Sequence, residues 1–368
     1  MISLPPHNCI FKNRNKDFKK VVLKYAGIFL ALFLFFISCK PQVSHPARQI
    51  SRSFYYWKSV FAISAYEKQQ LDALKINTLY IKFFDVDWNE TTRQPGPVVQ
   101  LRIADKTFFL KNNFQIIPTI FITNECLYKM DASQCAALAA NILALVNNMV
   151  TLNKINTVLQ IQIDCDWTAE TKEKYFSILT KLQSLDSAHS YSVTIRLHQI
   201  KYLHKTGVPP VSRGLLMCYN MGNLKSAATN NAILDVEELL KYTASISSYP
   251  LPLDVALPLF NWYVLFKNGS YAGLIQDVDN DMLKGISKKT AANRFEIITD
   301  TLLNHYDFKK GDILRFENSE YTEIIKAAKI LSQKIKDSTL HVSLYHLDSL
   351  ILKKYSTNEI ENIFNSLH

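Results

Sequence analysis

One segment gathers groups able to do acid–base chemistry: Val158-Leu159-Gln160-Ile161-Gln162-Ile163-Asp164-Cys165-Asp166-Trp167-Thr168. Read as a strand, period two puts Leu159, Ile161, Ile163 and Cys165 on one face. Gln160, Gln162, Asp164 and Asp166 share the other. Two residues of rise separate the carboxylates by about 6.6 Å. Burying two acids costs several kcal/mol each unless they are paired or hydrogen-bonded, so this polar face argues for a site. The segment Tyr191–Leu197 alternates in the same way. Its Val193, Ile195 and Leu197 face one way, Thr194, Arg196 and His198 the other. Arg196, at similar height, can neutralise one aspartate, either within a site or as a structural ion pair with Asp164. His198 is expected as an orienting hydrogen-bond partner. No second histidine stands at ligand spacing, and no Cys/His cluster has zinc spacing. Neither a metal nor another cofactor is expected.

These residues need a scaffold, and the chain alternates strand-like and helix-like runs. The strands read as Phe54–Val60, Thr78–Phe84, Gln115–Ile122, Val158–Ile163, Tyr191–Leu197, Gly214–Tyr219, Asp254–Phe260 and Leu340–Tyr345. Helical periodicity falls on Ser64–Leu74, Ala132–Leu152, Ala169–Leu185, Val236–Ser245, Glu320–Ile335 and Asn358–Leu367. The second of these has Leu138, Ile142, Leu145 and Met149 in one stripe. Eight strands alternating with helices predict parallel pairing and an α/β (β/α)8 TIM barrel. The competing open sheet lacks a glycine-rich loop after any strand. Arg93–Leu110 reads as an insertion in the second unit. Residues 263–315 read as an insertion after strand seven, with a hairpin of Phe295–Thr301 and Asp312–Phe316. In a barrel, the C-terminal strand ends carry the site. That places Asp164, Asp166, Arg196 and His198 together, with Asp85, Asp87, Trp88 and Asn89 after strand two. Asn124 and Glu125 come after strand three, and Asn261 and Trp262 after strand seven. Each polar residue is equally at home as a helix cap or in a solvated loop. Trp88, Trp167, Trp262 and Tyr219 beside acids and amides form the kind of platform on which sugars stack, although each ring alone fits core packing.

Here the residues resemble a family. Family-18 glycoside hydrolases, the chitinase-like barrels, carry Asp-x-x-Asp-x-Asp-x-Glu at the end of strand four. On this chain the motif covers Ile161 to Thr168, and Asp164, Asp166 and Trp167 match. The family's first acid is replaced by Ile161 and its general acid by Thr168. The family's Met-x-Tyr followed by Asp or Asn resembles Met217-Cys218-Tyr219-Asn220. The resemblance implies that Tyr219 and Asn220 contact the reacting sugar and that Asp166 orients its acetamido group. Substrate-assisted hydrolysis still needs a proton donor, and threonine cannot protonate a leaving oxygen near neutral pH. Glu125 is the expected substitute. Glu170 is the weaker one, because a helix start favours its ionised form. A further likeness is to bacterial barrel lipoproteins without an assigned activity, in which an Ile-Gln-Ile-Asp-x-Asp strand precedes a helix with a tyrosine, here Tyr175.

The chain has 368 residues, 48% hydrophobic and 20% charged, which excludes a disordered protein. Its net charge is +10, yet residues 1–38 alone carry six Lys/Arg against one acid, and only nine basic residues are Arg. A nucleic-acid partner is therefore not expected. The basic start precedes an apolar run, Ala26 to Ile37, that ends in Ser38-Cys39. A run of about a dozen residues is short for ~30 Å of hydrocarbon and suits a signal-peptide core. The ending resembles the bacterial lipoprotein box, which implies lipid on Cys39 and cleavage before it. Residues 1–38 are then a signal peptide, 39–52 a tether and 53–368 the barrel. The lysine and proline after Cys39, without acids, lean toward the periplasmic face of a bacterial envelope. Of the later cysteines, Cys126 and Cys135 are the only close pair. Cys165 and Cys218 read as core residues.

Three functions fit these residues. One is a glycan-acting, glycoside hydrolase-like envelope lipoprotein with Asp164, Asp166, Arg196, His198 and Tyr219 in the chemistry. Asp87, Trp88, Glu125, Trp167, Asn220, Asn261 and Trp262 would then bind substrate. The second is a non-catalytic glycan-binding lipoprotein on a degenerate barrel. The third is a structural component of an envelope complex docking through residues 263–315. The expected partners are a glycan and a membrane, with the protein a monomer.

Overall fold

The computed structural model describes residues 48–156 and 158–368, and Arg48–His368 form one compact unit. The proposed signal peptide, Cys39 and the tether up to residue 47 lie outside the described residues.

Eight parallel strands close a barrel: β1 Gln49–Tyr56, β2 Thr78–Asn89, β3 Gln115–Ile122, β4 Gln160–Asp164, β5 Ser190–Arg196, β6 Arg213–Met217, β7 Leu253–Pro258 and β8 Thr339–Tyr345. Each pairs with its sequence neighbour, and β8 returns to β1 with Gln49 opposite Thr339. The (β/α)8 expectation holds. β1 starts at Gln49, so the last residues assigned to the tether belong to the barrel.

Helices come after the strands: α1 Ala65–Ala73, α2 Thr107–Lys111, α3 Cys135–Leu152, α4 Lys172–Leu185, α5 Leu197–Lys201, α6 Val236–Leu240, α7 Tyr321–Lys334 and α8 Thr357–Asn365. Local chemistry sets their starts. Ser64 and Glu67 form a capping box at α1, and Ser356 and Glu359 another at α8. Leu138, Ile142, Val146 and Met149 of α3 are buried against the sheet, while Leu145 is only half-buried. Burying each such side chain contributes roughly 1.5–3 kcal/mol.

The barrel interior is partly polar, and several of its groups bond to one another, while Gln162 Nε2 is buried without a partner. Tyr55 Oη donates to Gln162 Oε1 at 2.6 Å, and Thr119 Oγ1 donates to the same oxygen at 3.3 Å. At the N-terminal end Arg213 pairs with Asp254 at 2.7 Å. All four described cysteines are free and buried.

Two excursions shape the mouth. β2 runs on past the expected Phe84 and turns back antiparallel through Gln94–Val98, which accounts for much of the Arg93–Leu110 insertion. Beyond β7 the chain builds a five-stranded antiparallel sheet in the order Ser270–Ile275, Asn261–Lys267, Ile313–Asn318, Arg294–Ile297, Ser287–Ala291. The expected hairpin is present in part, with Phe295 opposite Leu314. The excursion is larger than a hairpin because Asn261–Lys267 is a strand of its own and β7 stops at Pro258. Tyr263, Leu265, Ile275, Ile297, Phe308 and Leu314 give the excursion its own core.

Candidate functional site at the barrel mouth

β4 ends at Asp164, and its neighbour in register on β3 is Phe121. Asp164 is 2% exposed and lies on the floor of a cleft of about 1260 Å³. Thr194 Oγ1, inward on β5 as expected, donates to its carboxylate. Burial, opposed by the nearby Arg196 charge and reinforced by Asp166, pushes Asp164 up to about 6. Such a carboxyl carries its proton well above the ordinary range for aspartate.

Asp166 stands two residues on and is 45% exposed. It takes both Arg196 donors, Nε at 2.5 Å and Nη2 at 3.3 Å. Burial alone would lower the Arg196 pKa, but the Asp166 and Asp164 charges outweigh it and hold the guanidinium charged. The ion pair therefore forms with Asp166, not with Asp164. The third guanidinium nitrogen, Nη1, is buried without a partner, and Arg196 lines the cleft.

β6 ends at Met217, and Tyr219 lies just beyond it, 3% exposed, with an unpartnered hydroxyl on the cleft wall. Its ring packs on Tyr345 at 5.3 Å, and the Arg196 guanidinium sits 6.0 Å from its centroid. Asn220, also on the cleft, turns the chain outward in the left-handed region (φ 54) and donates its N–H to Ile233 O at 2.8 Å. Asparagine tolerates that conformation better than most residues.

The far wall comes from the excursion after β7. Trp262 and Phe260 pack with centroids 5.1 Å apart and rings tilted by 57°, and both line the cleft. The Trp262 indole N–H donates to Glu317 Oε2 at 2.7 Å, and Glu317 Oε1 accepts from Arg315 Nε at 2.7 Å. Arg315 is fully buried and donates to the carbonyls of Ser226 at 2.6 Å and Leu224 at 3.0 Å. This buried pair ties the wall to the loop after β6. Asn261 lines the cleft and accepts from Lys354 Nζ.

Several expected residues lie elsewhere. Trp167 is fully buried on the helix side, its ring 5.0 Å from Tyr175 and its N–H bonded to Thr206 O at 2.9 Å. The period of its own strand already assigned it to that face. His198 is exposed on the first turn of α5 and does not line the cleft, because β5 ends at Arg196 and its alternation ends there too. Glu125 lies outside the cleft and pairs with Lys129 at 2.7 Å along the helix Asn124–Lys129. Asp87 accepts the Thr123 hydroxyl at 2.7 Å, and it and Trp88 are also outside the cleft. Thr168 bonds to Glu170 at 2.6 Å, away from the cleft, and this bond keeps Glu170 below the usual carboxylate range.

The sequence reading missed the β1 and β8 ends. Trp57, Lys58, Tyr345 and His346 line the cleft, and Trp57 packs 5.9 Å from Tyr345. His346 Nδ1 is buried without a partner, and burial lowers its pKa to about 4. The usable signal was Trp57-Lys58 directly after the strand Tyr55-Tyr56. Among the described residues no group of three His, Cys, Asp or Glu side chains is placed to hold a metal ion.

No family model matches the sequence, and no curated protein matches it. The likeness to bacterial barrel lipoproteins thus rests on the Ile161–Asp166 strand and Tyr175 alone. Among solved structures, the chain is similar to a chitinase from Chromobacterium violaceum (TM-score 0.51, 9% identity, 87% of this chain and 98% of that one). It is similar to the spore cortex-lytic enzyme SleL of Bacillus cereus (TM-score 0.51, 13% identity, 87% of this chain and 75% of that one). It is also similar to SleL of Bacillus megaterium (TM-score 0.50, 11% identity, 88% of this chain and 75% of that one). At these identities the shared property is the fold alone, a (β/α)8 barrel.

Proposed function

We propose that this protein is a glycan-acting, glycoside hydrolase-like barrel that holds an oligosaccharide in the cleft at its C-terminal mouth. The observation that carries this reading is the cleft itself. Trp57, Tyr219, Trp262 and Tyr345 supply ring faces, while Tyr219 Oη, Arg196 Nη1 and His346 Nδ1 are buried polar atoms without partners. Buried polar atoms left unpaired cost free energy, and a ligand hydroxyl or carbonyl would satisfy them. Apolar walls with few convergent polar groups are what small-molecule sites use. The names of the similar structures, chitinase and cortex-lytic enzyme, support a glycan as the ligand class.

The principal reading is binding without hydrolysis by the usual acid. Thr168, which occupies that acid's place by resemblance, is outside the cleft, and Asp166 is tied to Arg196. One observation favours a second reading, turnover: burial raises Asp164 on the floor to about 6, so below that pH it carries a proton. It would protonate the leaving oxygen while the sugar's own acetamido group acts as nucleophile.

A glycan array probed with the full chain in detergent tests the site, repeated with Tyr219→Phe and Asp166→Asn. Binding that neither change affects removes this cleft. Product analysis on the bound glycans, with Asp164→Asn as control, separates binding from turnover. We further propose anchoring in a bacterial envelope through lipid on Cys39, on the periplasmic face, with the protein acting as a monomer. Failure of Cys39 to incorporate radiolabelled palmitate, compared with Cys39→Ser, would remove the anchor.

A further inference from the structure

The charges that line the cleft divide into two sets. Of its three cations, Lys58 pairs with Asp348 at 2.6 Å and Arg196 with Asp166 at 2.5 Å, while Lys354 donates to the neutral amide of Asn261 and, among the described residues, has no carboxylate within salt-bridge distance. Of the six carboxylates, Asp348 is neutralised by Lys58, Glu359 caps α8 and Asp164 lies on the floor. Asp277, Asp279 and Glu320 remain. All three are exposed on the rim, and among the described residues no cation lies within salt-bridge distance of any of them. Asp279 accepts the Met282 N–H at 2.9 Å and Glu320 accepts from Asn318 at 2.7 Å, so each keeps an oxygen free. The chain as a whole is basic, with a net charge of +10, so the sign of this rim is local.

The floor has the opposite character. Tyr219, 3% exposed, lines the cleft with an unpartnered hydroxyl, and Arg196, whose Nη1 is also unpartnered, lines it with its guanidinium 6.0 Å from the Tyr219 ring centroid. Those groups can donate to an acceptor oxygen of a ligand. The rim attracts cations, but its carboxylates are not grouped as a metal site. Separate carboxylates along a cleft suit separate ammonium groups along a chain.

We infer that the cleft selects an oligosaccharide bearing free, protonated amino groups: floor donors hold an acceptor oxygen, and Asp277, Asp279 and Glu320 face the ammonium groups. This selectivity rests on the glycan reading and narrows its substrate class to de-N-acetylated or partly de-N-acetylated amino sugars.

The test is calorimetric titration of the full chain in detergent, at pH 6, with hexamers of glucosamine, N-acetylglucosamine and galacturonate. The glucosamine hexamer is expected to bind about five-fold or more tighter than the N-acetylated one, from attraction by two or three exposed carboxylates. High salt should close that gap. Asp277→Asn with Asp279→Asn should also close it while leaving the N-acetylated hexamer unchanged, and Glu320→Gln provides an independent variant on another segment. Equal or weaker binding of the glucosamine hexamer overturns the inference, as does preference for galacturonate or a gap untouched by both variants. If the N-acetylated hexamer alone binds, the glycan reading stands and only the amine selectivity falls. If no hexamer binds, both fall.

Discussion

On the β2–β3 side of the mouth, Asp87 accepts the Thr123 hydroxyl at 2.7 Å, and Glu125 pairs with Lys129 at 2.7 Å. On the β6–β8 side, Tyr219 Oη and His346 Nδ1 are buried with no partner at all. Both sides present acids, amides and a tryptophan at or just beyond the end of a barrel strand, and in sequence they look alike. The course of the backbone beyond each strand decides their use. β2 continues into a hairpin and β3 runs straight into a helix whose cap is Thr123, so local partners take up Asp87 and Glu125, although Asp85 Oδ1 stays buried without one. After β7 the chain leaves for a separate sheet, and the space it opens is walled by rings and unsatisfied donors. Polar groups become available to a ligand where the backbone withholds local partners.

The largest expected effect is on the wall. Glu317→Ala leaves the buried Arg315 uncompensated and the Trp262 N–H without its acceptor. A loss of about 3–5 kcal/mol in denaturant unfolding is expected, and a loss below about 1 kcal/mol would mean the wall is not held this way.

Next comes the floor. Asp164 is raised from 3.8 to about 6 by burial first, so the folded state keeps a proton that the unfolded state has released. This contribution favours the folded state below the unfolded value and is lost as pH rises toward 6. The loss amounts to on the order of 2–3 kcal/mol by neutral pH. The stability of Asp164→Asn should therefore fall less between pH 4 and 7 than that of the parent. Parallel pH profiles for the two proteins would contradict the account.

Tyr219→Phe sharpens the comparison at smaller scale. Removing a hydroxyl with no partner should leave stability unchanged, yet lower glycan affinity about 3- to 10-fold, the worth of one hydrogen bond. The counterpart on the other side, Glu125→Ala, should shift stability by no more than about 0.5 kcal/mol and leave affinity alone. An affinity loss there would erase the distinction between the two sides.

The barrel was legible because its signals are periodic. Gln115–Ile122 is the strand the sequence indicates, and the apolar stripe of α3 faces the sheet. The inward placement of Thr194, Asp164 and Arg196 came from period two alone. Alternation ends with β5 at Arg196, which is why His198 was misplaced, whereas Trp167 was misplaced against the period of its strand, which puts it on the helix side. Glu125 and Asp87 were misread for another reason: an acid after a strand serves equally as a cap, an ion-pair partner or a ligand group, and only its neighbours in space decide. Trp57, Tyr345 and His346 were missed because they come after apolar strand residues and resemble core. The scale of the sheet after β7 was hidden because its strands are short and pair out of chain order.

The most direct test of the account is a crystal structure of the chain with a bound oligosaccharide. The account places a sugar ring against Tyr219, Tyr345 and Trp262, with an oxygen within hydrogen-bond distance of Tyr219 Oη or Arg196 Nη1. A sugar bound on the β2–β3 side, or on the outer helices with the mouth unfilled, would contradict it.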